Sequence, residues 1–533
     1  MDSRDSYIAR LEQQNRELLN QVGMLTEQVA SLNRQIESLT EIIRQMQREK
    51  FGPSSEKTPK GDDGMQLFMP QVFNEVEVEA DETEQESCKV TREGKVRSKN
   101  RRTRRELVLK NVPIEERIHE YTQESLICPQ CGRHLREIGM VHLRDELQFI
   151  PASLKVIRHM QASYECPGCK HTDHPLIVKT PVPQSVLPHS LASASSIANV
   201  IHQKYVNGMP LYRQEKDWEN LGICLSRATM ANWCIRCNEG YFSQVAERFR
   251  TELLSRDIVH CDETPVQVLK EDGKKPQTKS YMWLYRTGDD GKFPVIIFDY
   301  KSSRSGDNAA NFLKDFRGYV HSDGYSGYNK LSGITRCGCW AHLRRMFVKA
   351  IPTKKPAGQK TFAEIGRDYC DRLFRIEEHL SECAPEERFR LRLEYERGPL
   401  DEFWDWVGNL NPLPKSALGK AVTYALNQKP YMENYLLDGR LSISNNAAEN
   451  AIRPFTVGRK NWLFSDTPKG ASASASIYSI VETAKANGLE VYSYFKYLLE
   501  QMPNCKWRSH PELLDNLMPW SEVVQEICRQ KKA

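Results

Sequence analysis

From Ile8 onward, apolar residues recur in alternating steps of three and four. Position a of this heptad carries Ile8, Asn15, Val22, Val29, Ile36 and Ile43, and position d carries Leu11, Leu18, Leu25, Leu32, Leu39 and Met46. The run has no slip, so it predicts a coiled coil over residues 5–50. β-Branched residues at a with Leu at d favour a parallel two-stranded coil, hence a homodimer or higher oligomer. Asn15 fits the same choice, because two facing amides bond each other. A single amphipathic helix packed on its own protein is the plainer alternative.

Residues 51–107 lose the periodicity. Pro53, Ser54, Ser55 and Gly61 break it and acids crowd residues 75–86, the pattern of a solvated linker. Its end is basic, with Lys95, Arg97, Lys99, Arg101, Arg102, Arg104 and Arg105. Such a run is either a solvated arm or a phosphate-binding arm, since each Lys or Arg displaces a condensed counterion from DNA.

Residues 108–182 carry Cys128-Pro-Gln-Cys131 and Cys166-Pro-Gly-Cys169. Two such knuckles suit tetrahedral thiolate coordination of a structural zinc ion. The residues between them have room for a β-hairpin, predicted over 141–149 and 154–164. Four unligated buried thiols are the alternative, and His134, His171 and His174 are possible substitute ligands. Residues 183–250 read as helical. A helix from Leu211, a turn at Gly222 and an N-cap at Ser226 before a second helix near Arg227 outline a helix-turn-helix, although any helical hairpin with a glycine turn has this outline. Cys234 and Cys237 fall inside a predicted helix and read as packing thiols.

Beyond residue 256 the period changes to two. Strands are predicted over 257–269, 280–286 and 294–300, then a helix over 308–316 and a short strand over 318–322 that ends at Asp323. Three strands, a helix and a returning strand is the order of an α/β ribonuclease-H-like core. The returning strand should lie parallel beside the first, so Asp262 and Asp323 would project from neighbours. Paired carboxylates repel unless cations lie between them, and hard oxygen donors suit magnesium or manganese. Two such ions about 3.5–4 Å apart serve phosphoryl transfer. Glu263 adjoins Asp262, but strand alternation should turn it to the other face.

A third acid, Glu449, follows Ser444-Asn-Asn-Ala-Ala, which reads as a capped helix start. Arg453 lies one turn on, so a simple Glu–Arg helix pair is the bland reading, and Pro454 is expected to close or bend the helix. Arg459, Lys460, Asn461 and Trp462 suit phosphate contact with base stacking, or a folded turn. The catalytic core would then occupy 251–354 and 441–490. It would be split by a helical insertion over 355–440, whose Trp404, Trp406, Tyr424 and Tyr431 read as packing residues. A helical region over 491–533 closes the chain.

Composition narrows the setting. Of 533 residues, 27% are charged and 39% hydrophobic, too long a chain for one core and ordinary for a soluble protein. No apolar run could cross a membrane and no signal-peptide layout opens the chain, so the expected location is cytoplasmic. The net charge of +5 is too small to argue for nucleic acid by itself. The 15 cysteines, in a reducing compartment, read as thiols and metal ligands.

Several of these stretches together resemble the large transposase of the IS-sixty-six family of bacterial insertion sequences. The matching residues are Phe51-Gly-Pro-Ser-Ser-Glu56, both cysteine knuckles, Pro210-Leu-Tyr-Arg-Gln214, Asp262-Glu-Thr-Pro265 and Asp323-Gly-Tyr-Ser-Gly-Tyr328. They continue with Cys339-Trp-Ala-His-Leu-Arg-Arg345, Asn445-Asn-Ala-Ala-Glu449, Ile452-Arg-Pro454 and Gly458-Arg-Lys-Asn461. The resemblance implies a DDE-type enzyme with Asp262, Asp323 and Glu449 as metal-binding acids. It would hydrolyse DNA at the inverted-repeat ends of an element and join the freed 3′ hydroxyl to target DNA. It also implies a multimeric DNA complex and small companion proteins of the same element. His342 and Arg345 fall in a matching stretch, as positioners of phosphate or as core support. Arg227, Arg453, Arg459 and Lys460 join the basic arm as candidate DNA contacts. Ser444 and Asn450 depart from the family pattern, and a catalytically silent DNA-binding regulator derived from a transposase is the alternative function.

Overall fold

The computed structural model describes residues 154–161, 163–165, 177–352 and 360–530. The heptads, the linker with Arg101, Arg102, Arg104 and Arg105, and the knuckle cysteines Cys128, Cys131, Cys166 and Cys169 lie outside the described residues. Strands β1 (Ser163–Glu165) and β2 (Ile177–Lys179) pair antiparallel on either side of the second knuckle. The strand expected from residue 154 is shorter than predicted. Residues 154–161 join no ladder, and Val156, Ile157 and Met160 stay exposed, so their apolar pattern has no covering face among the described residues.

Helix α1 (Ala194–Ile201) opens with a reciprocal cap between Ser193 and Ser196 and runs into a π-helical turn, His202–Val206. Helices α2 (Leu211–Asn220) and α3 (Arg227–Cys237) form the expected helical pair. Gly222 turns the chain at φ +85°, a left-handed conformation that favours glycine. The Ser226 hydroxyl accepts the Thr229 N–H at 3.2 Å to cap α3. Trp218 and Trp233 pack edge to face between the two helices. Cys234 and Cys237 are buried in the core, and burial raises both thiol pKa values. A second π-helical turn, Asn238–Phe242, leads into α4 (Ser243–Leu254).

Five strands then build one mixed sheet: β3 (Ile258–Gln267), β4 (Lys279–Thr287), β5 (Ile296–Lys301), β6 (Gly318–His321) and β7 (Ile334–Cys337), with α5 (Gly306–Phe312) between β5 and β6. The order is β5-β4-β3-β6-β7. The first three are antiparallel, while β6 runs parallel to β3 and β7 parallel to β6. The first four strands follow the predicted periodicity. The fifth, β7, was not predicted: it has four residues between Gly333 and Gly338, too few to show alternation.

Helices α6 (Trp340–Ala350), α7 (Phe362–His379), α8 (Pro385–Tyr395), α9 (Arg397–Gly408) and α10 (Ala417–Met432) follow the sheet. Then come α11 (Asn446–Trp462), α12 (Pro468–Ala486), α13 (Val491–Gln501) and α14 (Glu522–Cys528). The buried apolar side chains form two clusters. One joins β3–β6 to α1–α5 and α11–α14, and the other joins α6, α7, α9 and α10 to Cys337 and Ile258. Neighbours Ile258 and Val259 belong to different clusters, as alternation along a strand requires. The expectation that Pro454 closes the helix is corrected, since α11 continues eight residues beyond it to Trp462. A proline removes one backbone hydrogen bond, and the buried Ile452, Phe455 and Gly458 hold both sides of the gap.

Candidate active site

The ladder between β3 and β6 pairs Ile258 with Tyr319, Val259 with Val320 and His260 with His321. That register ends two residues short of Asp262 and Asp323, which are near enough for the charge of Asp323 to raise the Asp262 carboxyl. Both side chains are pinned locally: Asp262 Oδ1 accepts the Glu263 N–H at 2.8 Å, and Asp323 Oδ1 accepts the Tyr325 N–H at 2.9 Å. The Asp262 carboxyl is pushed up to about 8, first by burial and then by the negative charges of Glu263, Asp323 and Glu449. Glu263 turns to the opposite face. There the Tyr328 hydroxyl donates to it at 2.6 Å and Arg304 pairs with it at 2.6 Å.

Glu449 stands in the first turn of α11, and the expected capped start of that helix is fastened in another way. Asn445 is the N-cap, and its side chain makes no capping bond. Its Nδ2 instead donates to the Cys261 carbonyl at 2.8 Å, and its Oδ1 lies 3.0 Å from His260 Nδ1. The Asn445 N–H donates to Cys339 Sγ at 3.2 Å, and Arg286 Nη1 to the Ala447 carbonyl at 3.2 Å. The start of α11 is thereby fixed to the strands that bear Asp262 and its neighbour. Sequence reading missed Asn445, Cys339 and Arg286, since each acts through a partner more than a hundred residues away.

The bland pairing of Glu449 with Arg453 is replaced by an ion pair to Arg345 on α6. One turn earlier on α6, the His342 ring stacks on Tyr424 with centroids 5.4 Å apart. Burial lowers the pKa of His342 and nearby Arg345 lowers it further, while the charges of Asp323 and Glu449 act in the opposite direction. His342 and Arg345 therefore share one locality with the three acids. Tyr424 also lies against the Asp323 loop, where a Cβ at Gly324 would overlap its ring. Buried Arg336 holds that loop from behind. It donates to Ser322 Oγ at 2.8 Å, to Asn329 Oδ1 at 2.5 Å and to the Asp323 carbonyl, with its guanidinium 4.4 Å over the Tyr431 ring. Tyr424 and Tyr431 thus support the acid-bearing loop as well as pack the helical layer.

The candidate DNA contacts separate into two groups. Arg227 is exposed at the start of α3, over the Tyr212 ring at 5.7 Å, and Lys460 is exposed near the end of α11. Arg453 is half-buried on α11. Arg459 turns inward, donating to Thr264 Oγ1 at 2.8 Å and to the Pro265 carbonyl on β3. Asn461 donates to the Gly208 carbonyl at 2.9 Å, and Trp462 meets Tyr205 edge-on at 6.3 Å with Lys204 over its ring. The segment 459–462 is thus a docked helix end.

Among the described residues no three acids, histidines or cysteines stand close enough to enclose a metal ion in this arrangement. The donor set nevertheless has the chemistry of a divalent site. The Asp262 carboxyl on β3 is raised first by burial and then by neighbouring carboxylates that include Asp323 and Glu449, a set of hard oxygen donors whose charge a cation would offset. No described helix is long and apolar enough to cross a membrane.

Comparison with known proteins agrees with this architecture. Residues 189–473 match the family described as Transposase IS66 family, and residues 125–170 match the zinc-finger binding domain of transposase IS66. Residues 479–520 match the IS66 C-terminal element, and residues 38–117 a segment described as Transposase C of IS166 homeodomain. Relatives include uncharacterized protein y4qI of Sinorhizobium fredii, 27% identical over 501 residues that cover 91% of this chain and 88% of the relative. Uncharacterized protein y4hP of the same organism is 26% identical over 507 residues, covering 90% and 87%. The first match alone takes in the whole sheet, all three acids and the helical layer between them: the chain belongs to the IS66 family of transposases.

Proposed function

We propose that this chain is a DDE transposase with a ribonuclease-H-like core, in which Asp262, Asp323 and Glu449 cleave and rejoin DNA at the inverted-repeat ends of an insertion sequence. The sheet order, with three antiparallel strands followed by two parallel ones, supports the fold reading. The observation that supports the site is the parallel β3–β6 register, which ends two residues before Asp262 on one strand and Asp323 after the other.

Asp262, Asp323 and Glu449 would hold magnesium or manganese. Bound there, two ions supply Lewis acidity to the phosphoryl oxygens and acidify the attacking water or 3′ hydroxyl. The chain's own part is to orient and to desolvate. β3 and β6 would fix the two aspartates, Asn445 the helix of Glu449, and Arg345 would orient Glu449 through their ion pair. His342 and Arg345, beside the acids on α6, hold the scissile phosphate in line. Arg227 and Lys460 contact the duplex backbone further out, and Arg101, Arg102, Arg104 and Arg105 supply a basic arm. The knuckles Cys128-Cys131 and Cys166-Cys169 would bind zinc as thiolates and keep their segment folded. Their position inside the matched zinc-finger segment and the β1–β2 pair across the second knuckle support that reading. The heptads of residues 5–50 would bring two or more copies together on DNA.

The test is cleavage of a labelled inverted-repeat end by the full chain with magnesium or manganese, wild type beside Glu449→Gln. Cleavage that needs both the metal and Glu449 is the expected result. Equal cleavage by both proteins removes Glu449 from the triad. End binding without cleavage, even with the element's companion proteins added, favours the silent regulator.

A further inference from the structure

Directly behind the acids lies a second layer of side chains to which each acid-bearing element contributes one residue. His260 precedes Asp262 by two residues on β3, and His321 precedes Asp323 by two on β6. Side chains two apart on a strand share a face, so His260 stands beneath Asp262, while His321 ends β6 two residues before Asp323. The two rings are stacked, with centroids 4.3 Å apart and planes 10° from parallel, and both are buried. Asn445 precedes Glu449 by one helical turn, and the Glu449 N–H donates to the Asn445 carbonyl at 3.2 Å. The Asn445 side chain is buried and closes onto the same layer through His260 and the Cys261 carbonyl.

The hydrogen bonds fix the orientation of the whole unit. The Cys261 carbonyl accepts only, so the Asn445 amide nitrogen faces it and Oδ1 faces His260. Oδ1 accepts only, so His260 Nδ1 carries the proton. Among the described residues, neither ring nitrogen of His321 has a hydrogen-bond partner. His321 therefore contributes a flat stacking face, and of the two rings it is His260 that is hydrogen-bonded to Asn445.

We infer that Asn445, His260 and His321 form a clamp that sets the spacing of the three acids, with Asn445 as the positioning residue that registers Glu449 against Asp262. This inference rests on the triad proposed above. Its physical content is that the first turn of α11 has no apolar side chain large enough to fix its height over β3. Residues 446–449 are Asn, Ala, Ala and Glu. The amide bonds of Asn445 then set that height together with the Arg286 bond to the Ala447 carbonyl, and losing them lets Glu449 drift while β3 and β6 stay paired.

The experiment uses the full chain and two readouts: manganese binding without DNA, and the manganese concentration that half-saturates cleavage of a labelled inverted-repeat end. Asn445→Ala is expected to weaken manganese binding and to raise the half-saturating concentration at least tenfold, with end binding within twofold of wild type. His260→Phe keeps the stack and removes only the donor to Asn445. It should shift both readouts in the same direction by less, and it serves if Asn445→Ala does not fold. Asn487→Ala, which removes amide bonds to the Pro294 and Thr483 carbonyls at the end of α12, controls for general loosening and should leave the metal requirement unchanged. Wild-type metal dependence in both Asn445→Ala and His260→Phe overturns the clamp, as does an equal shift in Asn487→Ala. A wild-type protein that neither binds manganese nor cleaves defeats the triad reading itself, a result separable from either of these.

Discussion

The acid-bearing end of the sheet and the helical layer of α6–α10 adjoin, yet different forces hold them. At the sheet, a few directional bonds join elements distant in sequence: Asn445 to β3, Arg286 to the first turn of α11, and Arg336 to the Asp323 loop. In the helical layer, rings do most of the holding. Trp340, Phe347, Tyr369, Phe403, Trp404 and Trp406 form one continuous aromatic cluster with neighbouring centroids 4.8–6.4 Å apart. A deeply buried ion pair there, Arg392 with Glu377, is itself satisfied by Arg392 bonds to the carbonyls of Tyr435, Asp438 and Leu441. Aromatic packing tolerates small shifts, because burial is nearly non-directional. Hydrogen bonds do not, since they weaken steeply with angle. The proposed chemistry, which needs three carboxylates at fixed separations, would therefore be built on the directional side, and bulk stability on the other.

The largest expected effect breaks the comparison on the chemical side alone. Asp262→Asn and Asp323→Asn should each lower the rate of end cleavage by a thousandfold or more, about 4 kcal/mol in the barrier, with binding of the same labelled end retained. Residual cleavage within tenfold of wild type would remove that residue from the triad. Next, Phe403→Ala at the centre of the aromatic cluster should cost about 3–5 kcal/mol in urea unfolding, and the surviving folded protein should cleave at a rate close to wild type. A specific loss of cleavage without loss of stability would show that the two regions are not separable in this way.

The smallest effect sharpens the comparison through pH. The raised Asp262 carboxyl keeps a proton in the folded chain that the unfolded chain releases near its ordinary value of 3.8. The folded state therefore binds more protons between pH 4 and about 8, and stability from this group falls as pH rises through that window. Asp262 is half-buried, so solvent screening limits the effect to about 1 kcal/mol. In chelator, urea midpoints at pH 5.5 and 8 should differ more for wild type than for Asp262→Asn. An identical pH dependence in the two proteins would mean that the Asp262 carboxyl is not raised in the folded chain.

Much of the site was legible because strand periodicity is local. Alternation along β3, β4 and β5 located Asp262, and the short strand before Asp323 followed from the crossover rule. The helix of Glu449 was legible too, but its fastening was not. Ser444 and Asn445 both suit an N-cap, and only the partner across the fold shows that the Asn445 amide belongs to β3. Arg459 reads as an open cation in the sequence, yet β3 carbonyl and hydroxyl groups lie within its reach and turn it inward. Arg345 lies 104 residues from Glu449, and no periodicity records such a pairing. Arg336, on the unpredicted strand β7, was invisible for the same reason.

Helix α11 has one more consequence. It starts at the acid cluster and ends docked on the helical pair's side of the molecule, through Asn461 to Gly208 and Trp462 to Tyr205. Seventeen residues at the usual helical rise make a rod of about 25 Å. Such a rod works as a lever: a tilt of a few degrees at the docked end displaces the far end by about 1 Å or more. The position of Glu449 is thereby mechanically geared to whatever α1 and its π-helical turn are resting against.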